Sequence, residues 1–70
     1  MCRILTIQTK RPFDIGQKLE IFAELAELSP EYQGDGWGIG YEQDGRMTYY
    51  HSRLPIWKDK LHRFGHSQFI

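Results

Sequence analysis

The chain opens MCRILTI, and its one cysteine, Cys2, stands at the second position of 70 residues. If Met1 is removed, which the small cysteine side chain permits, Cys2 carries a free thiol and a free α-amine on one Cα. A reference thiol titrates near pKa 8.5 and an α-amine near 7.7 to 8.0, so close to neutral pH the amine accepts the thiol proton directly or through a water. A nucleophile would then carry its own base, as in the threonine and N-terminal-amine pairing, with no histidine needed. The same residue also suits a small buried hydrophobe or a redox-sensing thiol. A lone cysteine excludes an internal disulfide and a multi-cysteine zinc site.

The three histidines, His51, His62 and His66, invite a metal reading, since the last two are four positions apart. Gly65 interrupts a helix across that spacing and no acidic or thiol ligand sits at a matching interval, so no metal site is expected. The stretch QGDGWGIGYEQDG places Gly34, Gly36, Gly38 and Gly40 on every second position. In an extended strand all four share one face, which is then bare and open to another backbone or a substrate. Neither the GxGxxG nor the GK[ST] phosphate motif fits. Asp35, between two glycines, reads as a turn residue, and Trp37 as core.

These groups need elements to hold them. Residues Cys2 to Thr9 are apolar and β-branched, which predicts a central strand covered on both faces. Lys10 to Asp14, with Pro12, predicts a connection, and Asp14 and Gln17 are spaced as an N-cap and its partner. From Gly16 to Ser29, Leu19, Phe22, Ala23 and Ala26 recur at helical spacing, widened by Ile21, Leu25 and Leu28, with Glu20, Glu24 and Glu27 on another side. Pro30 ends that helix at Ser29. Trp37 to Glu42 and Arg46 to Ser52 predict a hairpin across Gln43-Asp44-Gly45. Leu54-Pro55-Ile56-Trp57 reads as an irregular apolar plug, Lys58 to Phe64 as a short helix stopped by Gly65, and SQFI as the beginning of a strand. A strand of that length is short against the usual five or six residues, so the expectation is part of a larger design.

Length allows at most one domain, and so short a chain buries only about 60% of its unfolded surface. Association or further sequence is therefore expected to supply stability. Nine Lys+Arg cancel nine Asp+Glu, leaving no basic field for nucleic acid. The apolar runs fall short of the roughly 20 residues of a membrane span, and no leader or lipidation signal is seen, which predicts a cytoplasmic protein. An apolar content of 40% argues against disorder.

Taken together, the N-terminal MCR before an apolar strand, GDGWGIGYE some thirty residues on beyond a helix, and the PIW segment at Pro55-Ile56-Trp57 resemble class II glutamine amidotransferases. These belong to the N-terminal-nucleophile (Ntn) hydrolases, and the likeness is greatest to the stand-alone glutamine amidotransferase-like proteins. The resemblance runs over the whole chain, 1–70, as a single type-2 domain or its N-terminal part. It implies an α+β fold, the first portion of a four-layered αββα sandwich. It also implies Cys2 as the catalytic nucleophile, glutamine as substrate and no cofactor, with Gly34, Asp35 and Gly36 in a substrate-side loop near the nucleophile. In the family an arginine for the α-carboxylate, an Asn-Gly pair for the oxyanion and an aspartate for the α-amine lie further along. Arg3 and Arg53 match none of these, so a completing segment or chain is expected. The alternative is a non-catalytic domain that self-associates as a homo-oligomer through an exposed strand edge.

Overall fold

A computed structural model of the chain describes residues 3–31 and 34–70. It is an α+β arrangement of one helix and four strands: β1 (Gln8–Asp14), α1 (Ile15–Glu27), β2 (Trp37–Gln43), β3 (Arg46–Ser52) and β4 (His66–Phe69). Single 3-10 turns at Ile56–Lys58 and Leu61–Arg63 connect β3 to β4. The strands form two antiparallel pairs, β1 with β4 and β2 with β3.

The helix begins where Asp14 caps it: the Asp14 carboxylate accepts from the backbone N–H groups of Gly16 at 3.0 Å and Gln17 at 3.5 Å. Such a cap is worth about 1 kcal/mol. Ile15, Leu19, Ala23 and Ala26 form the buried stripe of α1, joined in the core by Tyr41, Ile56, Leu61, Phe64 and Ile70. The wider apolar band expected of the helix is not buried, because Ile21, Leu25 and Leu28 stay exposed. The helix also ends at Glu27, two residues before Ser29, with Leu28 as its C-cap.

The β2–β3 hairpin turns across Asp44 (φ 53°) and Gly45 (φ 79°). Two successive left-handed residues make the turn whose twist matches the flanking strands, which is why Asp-Gly specifies it. Inward from the hairpin, Trp37, Tyr41 and Tyr50 gather round Phe64 with ring centroids 5.4 to 5.9 Å apart, in tilted to edge-on arrangements.

The N-terminal strand differs from its expectation. β1 pairs with β4 through Phe13 opposite Ser67 and Asp14 opposite His66, and an irregularity separates these from Gln8 opposite Phe69. The segment expected as a connection is thus strand, and Pro12 is tolerated because β1 lies at an edge, where a missing N–H breaks no ladder. Conversely, Arg3 to Thr6 are not strand and Ile4 is 90% exposed, so this segment is neither central nor covered on both faces. Ile7 does pair, exchanging backbone hydrogen bonds with Ile70 at 3.1 and 3.0 Å.

Candidate functional site

A cleft of about 380 Å³ opens between Arg3, Ile4 and Leu5 on one side and Asp35 to Gly40 on the other. Leu19, Phe22 and Ala26 of α1 contribute to its lining, together with Ile56 and Ile70. This brings residues from the two sequence motifs, some thirty positions apart, to one depression. Arg3 and Asp35 place opposite charges on it, and the Arg3 guanidinium donates to Ser29 Oγ at 3.1 Å, which ties the N-terminal segment to the end of the helix. Of the sequence-predicted site, Asp35 and Gly36 line the cleft and Gly34 is buried just before them. Cys2 lies outside the described residues.

The glycines do not share one bare face. Gly36 has φ 128°, a conformation that L side chains rarely adopt, and a Cβ there would sit 2.8 Å from the Ser52 carbonyl oxygen. Gly38 and Gly40 are in β2, opposite His51 and Tyr49. A Cβ on Gly40 would come within 2.9 Å of the Tyr49 ring, so an aromatic side chain covers part of that face, and Gly40 also lines the cleft.

Beside the hairpin, Asp59 organises a network that sequence reasoning missed. Its Oδ2 accepts from Trp37 Nε1 at 2.9 Å and Tyr50 Oη at 2.8 Å, and its Oδ1 from the Lys60 backbone N–H at 2.8 Å and from Arg63 at 3.2 Å. The Asp59 side chain is only 6% exposed. Burial raises its pKa, but the donors outweigh it: bonds from Tyr50, the Lys60 amide and Trp37, then the Arg63 charge, leave the carboxyl below its usual value. The Arg63 guanidinium in turn sits 4.0 Å from the centroid of the Tyr50 ring. Trp37 and Tyr50 lie 22 and 9 positions from Asp59, and no local spacing announces them, whereas Arg63 stands at the local i, i+4 spacing.

The histidines are scattered. His51 is exposed on β3, His66 opens β4, and His62 bonds to Glu20 of α1. That bond and the Glu20 charge raise the His62 pKa. Among the described residues no group of three or more His, Cys, Asp or Glu is placed to hold a metal ion, and no helix is long and apolar enough to cross a membrane.

Comparisons with protein-family models, curated proteins and solved structures find no match to this chain.

Proposed function

We propose that the chain is a class II glutamine amidotransferase-like protein, the N-terminal part of an αββα Ntn-type domain, acting in the cytoplasm on glutamine. The observation that supports this reading most is the cleft: Arg3, the sequence neighbour of Cys2, lines it together with Asp35 and Gly36 of the GDGWG stretch. On this reading the Cys2 α-amine takes the thiol proton and the thiolate attacks Cδ of the glutamine side chain. The C–N bond breaks, ammonia leaves with the proton returned by the α-ammonium, and a γ-glutamyl thioester remains until water releases glutamate. One difficult amide hydrolysis becomes two easier steps. On this reading no residue of this chain is assigned to the α-carboxylate, the α-amine or the oxyanion, and a lack of oxyanion donors alone would cost about a hundredfold or more.

The test is intact-mass spectrometry of the purified chain before and after exposure to a diazoketone analogue of glutamine, with Cys2→Ala as control. Loss of Met1 and a single adduct that Cys2→Ala abolishes is the expected result. Met1 retained in fully processed protein removes the α-amine base and the mechanism with it.

A further inference from the structure

One face of α1 is left to solvent although it is apolar. Ile21, Leu25 and Leu28 are 56, 57 and 73% exposed, while Phe22 beside them packs against the core. At about 100° per residue the three fall within an arc of about 60°, since Leu28, the C-cap, keeps a right-handed helical backbone. They stand at i, i+4 and i+7, the anchor pattern by which one amphipathic helix seats against another. A single exposed leucine needs no explanation, but three aligned on one stripe form a patch.

The charges beside that stripe have one sign. Glu20, Glu24 and Glu27 repeat its spacing on the flank that borders the groove toward Leu61 and His62. Glu20 is engaged by His62, whereas Glu24 and Glu27 have no ion-pair partner among the described residues. The last turn of α1 holds no basic residue, so the negative end of the helix dipole adds to these two carboxylates. This field decides between occupants. Interfacial helices carry Lys and Arg beside their apolar face, and anionic headgroups repel carboxylates, so a membrane surface is a poor fit. Antiparallel pairing with a second copy sets the acidic flank of one α1 against the same flank of the other, and Lys18, on the opposite flank, offsets none of it.

We propose that the solvent face of α1 docks an amphipathic helix of another polypeptide, with large aliphatic side chains against Ile21, Leu25 and Leu28 and lysines or arginines along the side that meets Glu24 and Glu27. The partner helix runs antiparallel to α1, which brings the positive end of its dipole to the negative end of α1. Apolar contact along the stripe supplies the affinity, and the acidic flank selects the partner by charge. The inference stands on the surface of α1 and does not rest on the amidotransferase reading.

The experiment is fluorescence anisotropy of a labelled, capped peptide of about twenty residues, long enough to hold a helix, titrated with the full chain. Two peptides share a leucine stripe at i, i+4 and i+7; one carries lysines along its flanks and the other glutamates. The lysine peptide binds and the glutamate peptide does not. Leu25→Ser weakens binding of the lysine peptide about tenfold or more, and an unchanged urea midpoint reports that the variant keeps its fold. Glu24→Gln combined with Glu27→Gln weakens it about threefold or more at low salt, a difference that high salt removes. Four results overturn the proposal: no binding of the lysine peptide at millimolar chain, equal binding of the two peptides, self-association of the chain that Leu25→Ser abolishes, which would make a second copy the occupant, or Leu25-dependent binding to phosphatidylcholine vesicles, which would make it a membrane.

Discussion

Replacing Asp59 by alanine removes the acceptor shared by Trp37 and Tyr50. Each donor left without a partner at a buried site costs about 1–3 kcal/mol. Both bonds are only part-buried, so the lower half of that range applies and the expected loss is about 2–4 kcal/mol. Against about 4–10 kcal/mol for a folded chain of this length, that is about a fifth of the total or more. The assay is urea unfolding followed by tryptophan fluorescence, with Asp59→Asn as the near-isosteric companion that keeps one acceptor and loses about half as much. A pH arm separates charge from shape. The folded pKa of Asp59 lies below its unfolded value near 3.8, so its contribution is complete above that pH and is lost as pH falls through the lower, folded value. The wild-type chain should therefore lose stability in strong acid more steeply than Asp59→Asn. A loss under about 0.5 kcal/mol for Asp59→Ala at pH 7 would show that water replaces the carboxylate freely, and would refute the network as a source of stability.

Other outcomes follow from the same geometry. His62 should titrate above 6.5 by proton NMR, and Glu20→Gln should return it toward that value; because the folded pKa is raised, the pair supports the fold below pH 6.5 and that support fades as pH rises through the folded pKa. Gly36→Ala meets both a left-handed backbone and the Ser52 carbonyl and should cost about 1–3 kcal/mol in thermal or urea unfolding. Gly45→Ala, with open space around it, should cost less, about 1 kcal/mol. Leu19→Ala in the core should lose about 2–5 kcal/mol by the same assay, whereas Leu25→Ala, 57% exposed, should stay within about 0.5 kcal/mol.

What was legible in the sequence was local. The hairpin is specified by two residues, Asp44 and Gly45, and the helix start by Asp14 acting on amides two and three positions away. The first strand was misplaced because composition reports a preference, whereas pairing decides: β4 offers partners to Phe13 and Asp14, while among the described residues Ile4 and Thr6 have no backbone partner and Thr6 reaches Ile70 only through its side chain. Exposure of Ile21, Leu25 and Leu28 was likewise hidden, since periodicity gives the width of an apolar band but not how much of it finds a neighbour. Of the site, Arg3, Asp35 and Gly36 line one cleft, a meeting that motif order does not state, and the bonds from Trp37 and Tyr50 to Asp59 depend on contacts that no local spacing encodes.

The pairing of β1 with β4 has a kinetic meaning. Thr6 Oγ1 donates to the Ile70 carbonyl across 64 positions, and Ile7 joins Ile70 alongside it. Closing a loop of that length costs roughly 3 kcal/mol more entropy than closing the β2–β3 turn. The hairpin and α1 should thus assemble on the fast, local timescale, with β1 and β4 meeting last. The pairing formed last at the greatest entropic cost is also the one whose loss liberates the most chain, so transient opening should begin there, releasing residues 3–14 while α1 and the hairpin hold. The N-terminal arm is, by topology, the part of the molecule first to let go.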